Sequence, residues 1–424
     1  MELRTGFAMD WESGLRRGGF RIEVEGGRIS EVATAVPDGP YSRCIAIPGL
    51  VQPHVHLCQT LFRGTAEGRT LMEWLSERIW PLESAHTPDT LATSVLVSLR
   101  EIISSGCTAL LDVGSVEGSC TTVDILRRSG IRAHAANALM DAGPACLARD
   151  LAWLSEETDR VSAACGGLVR HALAPRFALS CSDGLWEWVA GLGGGRIRTT
   201  HCAESPAEVK DQAIAGEGGN VRFLQNRGFL GPSTVLAHCI HLSEGEPEIL
   251  AATGTAAAHC PWTNLRLGSG IADVPGLLSH GVRVLPASDG AACNNRLDLA
   301  SDARLGMALM SVTGSPAAVS GRLWLKAATE TAGGLLGTGH GRISEGFAAD
   351  LVLIEPSPEE AGELEAAEDP VRFVLELDWP SRVRLVMVDG VVLYDCGSFP
   401  TLPPLPLRIA EARREVLRRA GADA

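Results

Sequence analysis

Eight short apolar runs, separated by stretches with helical spacing, constrain this chain more than any other feature of its sequence. They fall near residues 44–52 (CIAIPGLVQ), 108–113 (TALLDV), 131–137 (IRAHAAN), 168–174 (LVRHALA), 196–200 (RIRTT), 234–237 (TVLA), 255–258 (TAAA) and 282–287 (VRVLPA). Helical periodicity fills the intervals, as at 89–104, 147–163, 243–252 and 299–311. Strands alternating with helices are βα units, which bury both faces of a parallel sheet. Eight such units predict an α/β fold of the (β/α)8 TIM-barrel type.

The ends of the chain read differently. Residues 19–36 contain FRIEVEGGRISEV, two alternating runs about a Gly-Gly turn, which predicts a hairpin. Residues 341–354 (GRISEGFAADLVLI) and 383–394 (VRLVMVDGVVLY) also read as strands, the second with an Asp-Gly turn, and a last helix is expected from about 407 to 420. The division expected is a barrel over 48–345 and a composite β-sandwich with the C-terminal helix over 1–47 and 346–424. The acidic stretch 358–369 reads as a solvated loop or helix face.

Composition narrows the partners. The 37 Lys and Arg against 51 Asp and Glu leave a net charge of −14, which repels polyanions and excludes a nucleic-acid backbone as the natural ligand. No window of 18 apolar residues is present, so no membrane span is expected, and the opening Met1-Glu2-Leu3-Arg4 lacks an apolar h-region, so no signal peptide is expected. The 12 cysteines form no C-x-x-C pair and read as reduced, mostly buried thiols. The expectation is a cytoplasmic homo-oligomer.

Several of the 11 histidines stand just beyond a strand. His54 and His56 follow the first run, His201 the fifth, His238 the sixth and His259 the seventh, while Asp289 follows the eighth. Strand C-termini of a parallel barrel converge on one face, so these residues form a ring. His54 and His56, two apart, point the same way and can share one ion. Imidazole and carboxylate ligands suit Zn²⁺, and next Fe²⁺, with a position left for water. His86, His134, His171, His241, His280 and His340 are expected in structural or surface roles. Glu204, three residues after His201, reads either as a proton carrier beside the metal or as a helix cap.

These residues resemble the amidohydrolase superfamily, in particular its cytosolic branch of adenosine-type, guanine-type and triazine deaminases and chlorohydrolases. The matching stretches are PGLVQPHVHLCQTLFRG (48–64), LMEWLSERIWPLE (71–83), HCAES (201–205), LAHCIHL (236–242), AHCPWTNLRLGSGIA (258–272), ASDGAACNNRLDL (287–299) and GRISEGFAADLVL (341–353). The resemblance implies one divalent metal held by His54, His56, His201 and Asp289. It implies catalysis by Glu204, His238 and Asp289, with metal-bound hydroxide attacking an amino-bearing ring carbon and ammonia leaving. Related two-metal enzymes bridge their ions with a carbamylated lysine at the end of the fourth strand. This chain has only Lys210 and Lys326, both in predicted helices, so a mononuclear site is expected.

The segment 71–83 is similar to the loop that members acting on S-adenosylhomocysteine and 5′-methylthioadenosine place over the nucleoside. By that likeness Trp74 packs on the substrate, Glu83 accepts from ribose hydroxyls and His259 reads a ring heteroatom. Core packing for Trp74 and helix capping for Glu83 are the alternatives. Two departures stand out: Arg176 and Asn137 occupy places where adenosine-type members carry a His and an Arg. Arg176 is expected either to face a carbonyl or anionic group, as on guanine- or pterin-type rings, or to form a rim salt bridge. The main expectation is a purine or adenosine-like aminohydrolase. Guanine, pterin or triazine hydrolysis is the alternative, and a non-catalytic binding protein on the same fold is a second.

Overall fold

A computed structural model describes residues 1–193, 195–316 and 320–421. Residues 422–424, the end of the expected flanking unit, lie outside the described residues. Eight parallel segments run Leu50–His56, Cys107–Asp112, Arg132–Ala135, Val169–His171, Arg198–Cys202, Thr234–His238, Ala256–His259 and Val284–Pro286, the last continued by Asp289–Gly290. Sequential neighbours pair, and Asp289–Gly290 returns to pair with Leu50–His56. Between the fourth and fifth segments the link is made by the parallel bridges Leu173–Arg198 and Phe177–His201. Helices such as Pro88–Ser104, Leu151–Ala164 and Glu246–Thr253 lie between successive strands, and Leu299–Thr313 follows the eighth. The result is a TIM-barrel-like α/β fold.

Three details differ from the sequence reading. The first run, 44–52, spans two strands: Ile45–Pro48 belongs to the flanking sheet and Leu50–His56 to the barrel. Gly49 separates them because a Cβ there would lie 2.0 Å from Thr108 Oγ1, so only glycine fits. His54, His56, His201 and His238 lie inside their strands, not beyond them. Polarity ends an apolar run, but backbone pairing carries on, as at Val55–Asp112 and His201–Ala237. Finally, only Leu351–Ile354 of residues 341–354 is strand, since Gly341 and Gly346 take φ of +115° and +83° and turn the chain.

Both ends of the chain enter one seven-stranded sheet. Its order is Val391–Asp395, Val383–Val388, Leu351–Ile354, Ile45–Pro48, Glu2–Asp10, Gly14–Glu25 and Arg28–Thr34. The hairpin turn at Gly26-Gly27 and the turn at Asp389-Gly390 both have positive φ, as two-residue hairpins require. Leu3, Ile22, Ile29, Ala46, Leu351 and Met387 belong to an apolar core of its own. The C-terminal helix, Ile409–Arg419, packs with Ala412 and Val416 against the Leu71–Leu82 segment that covers the barrel mouth.

Candidate active site

The barrel strands deliver the predicted ring to one point. His54 and His56 project side by side from the first strand, and Asp289 pairs in register with Val55 between them. His54 Nε2 and His56 Nε2 lie 3.3 and 3.2 Å from Asp289 Oδ1, and His56 Nε2 lies 3.1 Å from His201 Nε2. One ligand atom from each of His54, His56, His201 and Asp289 falls within 4.8 Å of the others. His238 and Asp289 take left-handed backbone angles, φ +73° and +60°. Such strain is held at functional sites when the surroundings fix it.

The donor chemistry fits a cation. His201 Nδ1 donates to the Arg176 carbonyl at 2.6 Å, which leaves Nε2 as a bare acceptor. Both nitrogens of the buried His54 ring lack a protein hydrogen-bond partner. Burial holds His54 and His201 below the usual imidazole range, so both are neutral and able to ligate. Burial would raise Asp289, but the His54 and His56 rings beside it outweigh burial and hold the carboxyl well below its ordinary value. Imidazoles crowded around one carboxylate oxygen are the arrangement a divalent ion ties together.

Glu204 and His238 stand beside this cluster, with Glu204 Oε2 3.3 Å from His238 Nε2. Burial, then the nearby Asp289 and Glu208 carboxylates, push the Glu204 carboxyl well above its ordinary value, so it keeps its proton. Burial lowers His238 to about 4. The contact is therefore between a neutral acid and a neutral imidazole, not an ion pair. Asn264 Oδ1 accepts from His238 Nδ1 at 2.8 Å, which leaves Nε2 as the acceptor. Glu204 is not a helix cap; Ser205 caps the short helix Pro206–Val209.

A cavity opens over the cluster, with about 510 Å³ of space free of protein atoms, part of it open to solvent. Its wall includes His56, Trp74, Arg176, His201, Glu204 and Asp289. Trp74, on this wall, also belongs to an apolar cluster with Leu71, Leu75 and Leu82. Glu83 and Arg176 meet each other: Arg176 Nη1 and Nη2 donate to Glu83 Oε2 and Oε1 at 2.5 and 3.1 Å, and Gln59 Nε2 donates to Oε1 at 2.8 Å. Both Glu83 oxygens are engaged, so the carboxylate neither caps a helix nor stands open on the cavity wall. His259 is buried without a protein partner on either nitrogen and is not part of that wall. Asn137 is also buried, bonded to Thr158.

The remaining histidines fall outside the cluster, with His86, His134 and His241 bonded to the carbonyls of Cys58, Leu336 and Ser269. Cys58, Cys202, Cys239 and Cys260, each close in sequence to a ring histidine, are all buried, and none is on the cavity wall. Lys210 follows the helix Pro206–Val209 and Lys326 ends the helix Gly321–Lys326, both away from the fourth strand. Sequence reasoning missed Gln59, Glu208 and Asn264. Glu208 had a signal, but a misleading one: Ser205-x-x-Glu208 reads as a capping box. Its carboxylate instead accepts from the Glu204 backbone N–H at 2.9 Å and from Asn220 Nδ2 at 2.7 Å.

Comparison with known proteins agrees with this geometry. The profile of the amidohydrolase family matches residues 45–393. The chain is similar to 5-methylthioadenosine/S-adenosylhomocysteine deaminase 2 of Archaeoglobus fulgidus, with 34% identity over 89% of each chain. It is 32% identical to the 5'-deoxyadenosine deaminase of Methanopyrus kandleri, over 84% of this chain and 82% of that one. The solved structure of an adenosine deaminase from Xanthomonas campestris, with bound zinc, matches its fold at a TM-score of 0.89 and 24% identity, covering 99% and 98% of the two chains. With a family match over most of its length and relatives above 30% identity, the chain belongs to the amidohydrolase family.

Proposed function

We propose that this protein binds one divalent metal ion, zinc before iron(II), through His54, His56, His201 and Asp289, and hydrolytically deaminates the purine ring of an adenosine-like nucleoside. It is then a hydrolase of carbon–nitrogen bonds in cyclic amidines. The observation that carries the reading is the convergence of those four ligand atoms within 4.8 Å, beside a buried Glu204 whose Oε2 lies 3.3 Å from His238 Nε2. The named activities of the 34% and 32% identical relatives support the substrate class.

When bound, the ion supplies Lewis-acid activation of water. The residues do the rest. His238 Nε2, with no donor of its own, orients the attacking water. Asp289 takes the proton that the water gives up. Glu204 gives its proton to the ring nitrogen beside the amino-bearing carbon and takes one back from the new hydroxyl, while Asp289 passes its proton to the amine, which departs as ammonia. Trp74 and Arg176, on the cavity wall, are the substrate contacts; Glu83 acts through Arg176, and His259 stands behind the wall.

The domain division follows the same reading: a catalytic barrel over 48–345, and 1–47 with 346–424 wrapped as a sandwich-like unit on the separate apolar core. Cytoplasmic placement and homo-oligomeric assembly belong to it too, as does the lack of a nucleic-acid or membrane partner. The −14 charge supports the nucleic-acid point, twelve free cysteines support the compartment, and no helix among the described residues is long and apolar enough to cross a membrane. Arg176 in the cavity wall favours a second reading, an oxo-substituted ring of guanine or pterin type.

The test is product release from metal-loaded protein over adenosine derivatives, guanine, pterins and a chlorotriazine, with ammonia and chloride measured together. Ammonia from an adenosine derivative is expected. Chloride alone moves the activity to the triazine class, and no release from any compound overturns the reading.

A further inference from the structure

The far oxygen of Asp289 has a partner of its own, and it is a cysteine. Cys293 Sγ lies 3.3 Å from Asp289 Oδ2, while Oδ1 is the oxygen that faces the His54 and His56 imidazoles. Thr263 Oγ1 in turn donates to Cys293 Sγ at 3.3 Å. Thr263, Cys293 and Asp289 are all buried, so each polar atom must find its partner among protein groups. The hydroxyl proton of Thr263 occupies a sulfur lone pair, which leaves the single S–H free to donate onward. Two acceptors lie in reach, Asp289 Oδ2 and the Gly290 carbonyl at 3.2 Å. An ionised carboxylate is the stronger acceptor of the two.

We infer that Cys293, supported by Thr263, is a positioning residue that holds Asp289 Oδ2 and so presents Oδ1 alone to the metal position. A free carboxylate at a strand end can rotate about its Cα–Cβ and Cβ–Cγ bonds and offer either oxygen, or both. Here three different elements fix it. The strand Leu50–His56 fixes its backbone, the short helix Ala291–Asn294 brings the thiol, and the helix Pro261–Arg266 brings the hydroxyl. Asn294 Nδ2 donates to the Ser288 carbonyl at 2.7 Å, which pins the turn on both sides of Asp289. Partners of this kind set ligand orientation, and their loss typically weakens metal binding about ten- to a hundredfold.

This inference depends on the proposed metal site, and the experiment separates the two. Zinc affinity is measured by competition with a chromophoric chelator in the full-length protein and in Cys293→Ser and Cys293→Ala. The visible spectrum of each cobalt(II)-loaded form is recorded alongside. Serine keeps the donor, so its affinity and spectrum should stay near those of the parent. Alanine should bind zinc about tenfold or more weakly, with a changed cobalt spectrum, because the carboxylate is free to offer both oxygens. An alanine variant that matches the parent in both readouts overturns the role of Cys293. So does a serine variant that falls as far as alanine, since packing of the sulfur would then be what matters. A parent protein that binds no zinc overturns the metal site itself.

Discussion

A carboxyl group buried beside other carboxylates keeps its proton, and Glu204 owes its proposed role to that circumstance. Glu204→Gln should therefore keep its metal and lose turnover by about a hundred- to ten-thousandfold, whereas His201→Ala should lose the metal. Metal analysis together with kcat distinguishes the two variants; a Gln variant with unchanged kcat makes Glu204 structural. Glu208 makes a different prediction. Burial raises its carboxyl from 4.5 to about 7, although hydrogen bonds from the Glu204 and Ser205 segments and from Asn220 oppose the shift. Its folded-state value lies above its unfolded value, so between about 4.5 and 7 the folded protein holds the extra proton. Stability tied to Glu208 is thus greatest below that window and falls as pH rises through it. Melting temperatures across pH 5–8 should show a flatter profile in Glu208→Gln than in the parent over about that range; identical slopes would remove Glu208 as the cause. The ring residues were legible because each is a polar residue that ends an apolar run. Glu208, Asn264 and Cys293 were not, because what they hold is a backbone amide, a ring nitrogen and a carboxylate oxygen that only the fold brings to them.

At the scale of elements, the helix Trp80–Ser84 is tied to the turn after the fourth strand by the Glu83–Arg176 pair. Sequence likeness placed Glu83 on the substrate and left Arg176 to face either a substrate group or a salt-bridge partner; burial paired the two with each other. A buried ion pair that loses one partner leaves an uncompensated charge. Arg176→Met should destabilise the fold by about 3–5 kcal/mol, and adding Glu83→Gln should restore most of it. Urea unfolding measures this directly, and a single variant as stable as the parent would show that the pair is not coupled. Barrel closure has a comparable device. Gln52 on the first strand bonds Ser288 both ways at 2.8 Å, and Ser288 Oγ donates to Asp302 Oδ2 at 2.6 Å. Strand existence was legible from the apolar runs. Strand ends were not, because pairing with neighbours extends strands through polar residues such as His54 and His201.

Across the whole molecule, the barrel and the flanking sheet are joined by Arg132 at the start of the third barrel strand. Its guanidinium contacts Asp350 at 2.6 Å and Asp389 at 2.7 Å. Asp350 is fully buried and Asp389 about half exposed, with side-chain exposures of 0% and 47%. Arg132→Leu should therefore cost about 3 kcal/mol or more, and Asp389→Asn less than about 1. Guanidinium unfolding that ranks the two in the opposite order would refute the assignment. The two-part organisation was legible from the switch in periodicity at the chain ends, but the seating of Ile45–Pro48 between Glu2–Asp10 and Leu351–Ile354 was not, because those strands are distant in sequence. The scarcity of lysine excluded a bridged two-metal site from the outset, and the one cluster of three histidines and an aspartate among the described residues is its counterpart in the fold. The most direct test of the central claim is ammonia release by the metal-loaded protein from 5′-deoxyadenosine, 5′-methylthioadenosine and S-adenosylhomocysteine, with bound metal quantified in the same sample. The account predicts ammonia equal to substrate consumed for at least one of them; full metal occupancy with no ammonia from any would contradict it.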